Sequence, residues 1–290
     1  MTTLGTVFLP QRPPERLREL VQAADDAGLE ELWLWEDCFL EGGLTTAAAA
    51  LAWSSRLRVG IGLLPVPLRN VAVAAMEAAT LFRMFPGRPV IAAGHGVQDW
   101  MGQVGARVES PLTLLREYTV ALRRLLAGEE VSTGGRYVRL DKVALDWPPP
   151  GPAPILLGAT GPKTLRLSGE VSDGTVLTGG TDPEGVRRAR ALIDEGRAAA
   201  GRTGPHPIVV YLQAATGERA EERMAAERQR WGYADRDVTL TGDEHAIADG
   251  VARWAEAGAD HIILQPSPDD PDPEGFVRFV AQRVRPLVAS

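Results

Sequence analysis

The sequence predicts an α/β protein, a (β/α)8 barrel of the TIM type with a small hairpin insertion. Three observations predict it. Eight short apolar runs alternate with helical patterns over short connections, which means a parallel sheet. The glycine fingerprint that an open doubly wound sheet carries directly after its first strand is missing, since the first run ends in Leu9-Pro10-Gln11. Several of the later runs dissolve into Gly and Pro at their carboxyl ends, where α/β folds place their ligands.

Taken in order, residues 4–9 form the first strand and Pro10 closes it. Pro13 and Pro14 open a helix where proline is tolerated, Leu17, Leu20, Val21 and Ala24 follow at helical spacing, and Gly28 stops it. Residues 32–35 are the second strand, and 45–53 an alanine-rich helix. The stretch 56–70 carries the third strand. It is apolar from Val59 to Leu64, as a strand buried on both faces is, and it is broken by Gly60, Gly62, Pro65 and Pro67. Glycine there suits a backbone twist or the close approach of a flat ligand. A helix at 71–85 ends at Pro86-Gly87, and the fourth strand, 89–93, leads into Gly94-His95-Gly96.

An amphipathic helix at 111–126 is followed by a β-hairpin signal, Thr133-Gly134-Gly135-Arg136, within 128–146. Strands at 155–157 and 174–177 are each followed by a glycine-containing loop and a helix, the second started by Asp182-Pro183. The last two strands are 208–215 and 261–264, with helices at 218–230, 244–257 and 273–287; 231–243 reads as irregular. The whole of 1–290 reads as one barrel domain, since barrels of this type run to that length.

The composition is that of a soluble globular protein, 44% hydrophobic and 24% charged. A net charge of −7 without a basic cluster argues against nucleic acid as a partner. No apolar run reaches the ~20 residues of a membrane span and no secretion signal is visible, so no membrane role and a cytoplasmic location are expected. The lone Cys38 supports neither a disulfide framework nor a cysteine metal site, and no His/carboxylate pair stands at metal-ligand spacing.

The chemistry belongs to the strand ends. Two loops there read as anion cradles before helices, Ala159-Thr160-Gly161-Pro162-Lys163 and Thr178-Gly179-Gly180-Thr181. The alternative is that both are glycine-rich connections only. Glu36 and Asp37 are adjacent carboxylates beside Trp33 and Trp35. One is a candidate general acid or base if apolar neighbours raise its pKa; otherwise one caps the next turn and the other is solvated. His95, between two glycines, is the histidine placed to contact a ligand.

The residues also carry a family resemblance. The pieces are Leu9-Pro10, Leu-Trp-Leu-Trp-Glu-Asp at 32–37, Ser-Arg-Leu-Arg-Val-Gly-Ile-Gly at 55–62, Arg69-Asn70, Phe-Pro-Gly-Arg at 85–88, Gly94 to Gly96, Leu-Leu-Arg-Glu-Tyr at 114–118, and Ala159 to Lys163 with Glu170 and Gly174. Together they resemble the luciferase-like monooxygenase superfamily, in its coenzyme F420-dependent branch with the methylene-tetrahydromethanopterin reductases. The resemblance implies a barrel oxidoreductase that binds F420 or FMN and acts on a small organic molecule. It implies a bulge with a non-proline cis peptide at Gly62-Leu63 that props the ring, and cofactor phosphate on Ala159–Lys163 and Gly179-Gly180-Thr181. Gly94 and Gly96 flank His95 at the same mouth, and a homodimer is compatible with it.

The chain departs from the family's pattern in having Asp37-Cys38 where Asp-His is common, and Arg69-Asn70-Val71 where Arg-His-Pro is usual. Three functions follow: an F420-dependent oxidoreductase with Asp37, then Glu36 and His95, near the ring; an FMN-dependent monooxygenase; and a non-catalytic flavin-fold binding protein.

Overall fold

The computed structural model describes residues 2–288. Its strands are β1 (Thr3–Phe8), β2 (Glu31–Leu34), β3 (Arg58–Pro65), β4 (Pro89–Gly94), β5 (Val131–Gly134), β6 (Arg139–Val143), β7 (Ile155–Gly158), β8 (Gly174–Leu177), β9 (Ile208–Ala215), β10 (Thr239–Thr241) and β11 (His261–Gln265). The helices are α1 (Leu17–Ala27), α2 (Gly43–Trp53), α3 (Val71–Met84), α4 (Gln98–Gln103), α5 (Pro111–Leu126), α6 (Pro162–Val171), α7 (Pro183–Ala199), α8 (Ala220–Arg230), α9 (Glu244–Glu256), α10 (Pro273–Phe279) and α11 (Arg285–Val288).

Eight parallel strands close on themselves in the order β1-β2-β3-β4-β7-β8-β9-β11, with β11 returning to β1. This is the (β/α)8 barrel that the alternation predicts. Side chains alternate across each strand. One set, including Leu4, Phe8, Leu32, Leu34, Ile61, Val210 and Leu264, packs with the helices. The other set, Val7, Leu9, Trp33, Val90, Ala92, Leu156, Val176, Val209, Tyr211 and Ile263, fills the barrel. Trp33 is fully buried at its centre, edge-on to Tyr211 at 5.8 Å between centroids.

That filling explains β3. A Cβ at Gly60 would overlap the Trp33 indole, and one at Gly62 would overlap the Tyr211 hydroxyl. Glycine at these two positions thus makes room for Trp33 and Tyr211. At the bottom of the barrel Glu31, 1% exposed, fixes Trp33 by accepting from its Nε1 at 3.0 Å and pairs with Arg58 at 2.7 Å and with His261 at 3.1 Å. Burial alone would raise the Glu31 pKa; the bond to His261 and the positive neighbours lower it instead.

β5 and β6 form the expected antiparallel hairpin. The Glu117 carboxylate of α5 ties it down by accepting from the N–H groups of Arg136, Tyr137 and Val138 at 2.8–3.0 Å. Three elements depart from the sequence reading. The stretch 231–243 contains β10, which continues the edge of β9 above β8 by pairing Thr239 with Gln213 and Thr241 with Ala215. The turn of helix α4 lies in the loop after β4. The last helix is interrupted by a π-helical segment, Val280–Val284. Among the described residues no helix is long and apolar enough to cross a membrane.

Candidate active site

The carboxyl ends of the strands converge on a mouth whose floor is the end of β3. The pairing of β3 with β4 slips between Gly62 and Leu64, leaving Leu63 as a bulge, and the Gly62-Leu63 peptide is cis. Tyr211 donates from its hydroxyl to the Gly62 carbonyl at 3.3 Å. Burial pushes the Tyr211 pKa well up, so the phenol stays a donor. The half-buried Leu63 side chain lies across β4 and β7. A Cβ at Gly94 would stand 2.7 Å from Leu63 Cδ1, and one at Gly158 would overlap it. Glycine at these two strand ends lets Leu63 form an apolar step on the inner wall.

β2 ends beside this step in an acidic loop. Glu36 is buried, and both its oxygens are engaged: Arg69 binds them in a two-pronged ion pair, and Gly43 N–H at the start of α2 donates to Oε2 at 2.7 Å. Glu36 thus joins β2, α2 and the loop after β3. Asp37, partly buried, has no such partner, and burial raises its pKa. Glu41 is raised to about 7, by burial first and then by the Asp37 charge, and its Oε1 is buried without a protein partner among the described residues. Cys38 is pushed up by burial and by Glu36 and Asp37, so it is no thiolate nucleophile; its peptide bond to Phe39 is also cis.

The two expected cradles differ. At the first, no side chain caps α6, whose N-cap is Gly161 with Pro162 in the first turn, so the helix presents unclaimed backbone N–H groups. Thr160, Pro162 and Lys163 are exposed, and nothing lies within 4 Å of a Cβ built on Gly161. Ala159 is an exception: its N–H is spent on the Val176 carbonyl at 3.1 Å. His95 joins this cradle, with Nε2 3.2 Å from Thr164 Oγ1 in the first turn of α6, and burial lowers its pKa, which favours the neutral ring. Gly96, at φ +70°, turns the chain over Met101.

The second loop is engaged in contacts of its own. The Asp182 carboxylate already caps α7, accepting from Gly185 N–H at 2.6 Å. Tyr233 covers Gly180 and donates to the Gly179 carbonyl at 3.1 Å, and Thr181 bonds back to Thr178 and out to Trp254. Only Gly179 leaves open space, with nothing within 4 Å of a built Cβ.

Sequence reasoning missed Glu41, Thr164, Tyr211 and Tyr233. For Tyr211 a signal existed: it lies two residues from Val209 in an apolar strand, on the barrel-facing side. Glu41 and Tyr233 sit in loops without periodicity, where spacing says nothing about neighbours. Two surface cavities of about 520 and 340 Å3 lie away from the mouth, the first beside Arg123, Pro154 and Asp173 at the opposite end and the second along α9. The chemistry of the strand ends, not cavity volume, marks the site.

The mouth of the barrel thus joins an apolar bulge, two carboxyls whose pKa burial raises, and an uncapped helix N-terminus. The sequence profile of the luciferase-like monooxygenase family matches residues 2–270, and the chain belongs to that family. It is 30% identical over 200 residues to the 5,10-methylenetetrahydromethanopterin reductase of Methanolobus tindarius, a match covering 69% of this chain and 61% of that protein.

Among solved structures, an F420-dependent secondary alcohol dehydrogenase in complex with an F420-acetone adduct aligns with TM-score 0.87 and 20% identity over 99% of both chains. The FMN-bound oxygenating constituent of 3,6-diketocamphane monooxygenase from Pseudomonas putida aligns with TM-score 0.81 and 17% identity, again over 99% of both. At these identities the two structures establish the shared barrel.

Proposed function

We propose that this protein is an F420-dependent oxidoreductase that transfers a hydride between the deazaflavin and a small organic substrate. The observation that carries the reading is the placing of the Leu63 step beside the open, uncapped N-terminus of α6 in one barrel mouth. A flat ring fits an apolar step, and a phosphate fits backbone N–H groups at a helix start. The family membership and the named F420 dependence of relatives support it.

When bound, the cofactor supplies the hydride-carrying ring. The chain supplies the rest. Leu63 supports the ring through contact with Gly94 and Gly158. The turn from Thr160 to Lys163 holds the phosphate, with His95 steadying Thr164. We assign to Asp37, whose pKa burial raises, the giving or taking of the proton that accompanies hydride transfer, with Glu41, whose pKa burial and the Asp37 charge raise, beside it. Glu36 holds the loop through Arg69 and Gly43.

The same step and cradle fit FMN, whose phosphate matches the open start of α6; the FMN-bound relative favours this as the second reading. Fluorescence titration with F420 and with FMN tests both. Saturable F420 binding supports the proposal, and binding of FMN alone replaces it with the second reading.

A further inference from the structure

The mouth has a polar sector that the reading above does not use. Val209 and Tyr211 of β9 and Ile263 of β11 face into the barrel, whereas Val210, Leu212, Ile262 and Leu264 face the helices. The alternation carries Gln213 and Gln265 inward, one layer above Tyr211 and Ile263, and the register sets them side by side. Both are nearly buried, at 4% and 6% exposure. α8 covers this sector: Ala215 packs on its Ala220 and Met224.

Glu227 of α8 accepts from Gln213 Nε2 at 3.2 Å and from Trp231 Nε1 at 3.0 Å. A carboxylate only accepts, so Glu227 fixes the Gln213 amide with its nitrogen toward α8 and its Oε1 turned away. That Oε1 is buried and finds no protein partner among the described residues. Ser267 Oγ, just beyond β11 in a side chain 1% exposed, is in the same position, and so is Arg223 Nε, one turn before Glu227.

Contacts link the three residues: Gln213 binds Glu227, which stands one turn from Arg223 on α8, and Asp270 joins Arg223 to Ser267. Arg223 reaches Asp270 at 3.7 Å, and Asp270 N–H donates to the Ser267 carbonyl at 3.0 Å. Buried polar atoms are nearly always paired, so a cluster of an orphan acceptor, an orphan donor and an orphan hydroxyl is a demand for a partner. That partner must both donate and accept. It must also be uncharged, because Arg223 and Arg230 are balanced by Asp270 and Glu227.

We propose that the layer between α8 and the ends of β9 and β11 is a subsite for an uncharged hydroxyl or primary carboxamide group of the substrate. It rests on the reading of the mouth as an oxidoreductase site. The group donates to Gln213 Oε1 and accepts from Ser267 Oγ–H or Arg223 Nε–H, which fixes one end of the substrate on the wall across from the β2 loop.

The test is ligand-observed NMR with acetamide, propane-1,2-diol and acetate, on protein with and without F420, for wild type, Gln213→Leu and Ser267→Ala. Acetamide and propane-1,2-diol bind wild type, acetate does not, and each variant weakens the neutral probes about tenfold, the worth of one lost hydrogen bond. Ser267→Ala leaves the melting temperature of the free protein unchanged or higher, because it removes an orphan hydroxyl. Neutral probes that do not bind, acetate that binds as well, or variants that bind like wild type overturn the subsite. So does a lower melting temperature in Ser267→Ala, which marks a hydroxyl serving the fold alone. F420 fluorescence on the same samples separates the two claims: F420 bound without probe binding sinks only the subsite, and probes bound without F420 sink only the cofactor reading.

Discussion

Asp37, Glu41 and Glu36 are three carboxyls within one loop, and their surroundings divide the work. Asp37 and Glu41 lack cationic partners, and burial keeps their protons on to higher pH, Glu41 to about 7. Asp37→Asn is expected to lower turnover by about 10²–10⁴-fold while F420 affinity holds, as for loss of a proton-transferring group. An equal loss of cofactor binding would place Asp37 in the cofactor's pocket wall instead. Because the Glu41 proton leaves near pH 7, activity that needs it falls as pH rises through 7, and Glu41→Gln shifts that limb of the kcat/KM profile; a limb that stays put removes Glu41 from the proton path. Glu36 behaves differently. Glu36→Ala leaves the half-buried Arg69 with Glu77 at 3.4 Å as its remaining carboxylate and uncaps α2, so it costs about 2–3 kcal/mol of stability, read as a denaturant midpoint. Unchanged stability with lost turnover would return Glu36 to the chemistry. Adjacency at 36–37 was legible in the sequence; the division of labour was not, because Arg69 and Gly43 reach Glu36 only through the fold.

Glycine at element ends shows how the same residue type serves opposite purposes. Gly60 in β3 is there because Trp33 occupies the space of a side chain, and Gly60→Ala is expected to overpack the barrel at a cost of about 1–3 kcal/mol. Gly161 before α6 has open space and φ −85°, which alanine adopts freely. Gly161→Ala should therefore leave the melting temperature unaltered and weaken F420 binding about tenfold by filling the cradle; equal affinity would remove α6 from the site. The run before α6 was readable from Gly-Pro-Lys followed by helical spacing. Its counterpart before α7 differs, because the Asp182 carboxylate already claims that helix start. His206 shows the same limit. Its flanking prolines mark a loop, and the spacing says nothing of its burial against Thr175 at 2.8 Å. Burial, then Arg197, Arg202 and Arg190, lower its pKa to about 4. Its neutral form is favoured in the folded state, so that stability is intact above pH 6.5 and is lost as pH falls toward 4. His206→Gln should flatten this part of the pH-stability curve, and a curve of unchanged slope would contradict the assignment.

At the scale of the molecule, the barrel was legible because strand and helix periods alternate and persist through the chain. Apolar runs such as 59–64 and 208–215 need burial on both faces, which a parallel sheet covered by helices gives, and the missing glycine fingerprint after β1 points to the closed form of it. The α8–β10 excursion was half legible: the charged helix declares itself, but β10 has three residues and takes its place from pairing with β9. That excursion roofs one side of the mouth, the bulged β3 forms its floor, and α6 offers the helix start. The central claim is that these parts hold a deazaflavin, and the measurement that tests it most directly is a side-by-side fluorescence titration of the purified chain with F420 and FMN. Saturable binding of F420, one per chain and tighter than FMN, is the expected result; no saturable F420 binding, or tighter binding of FMN, rules out a deazaflavin site.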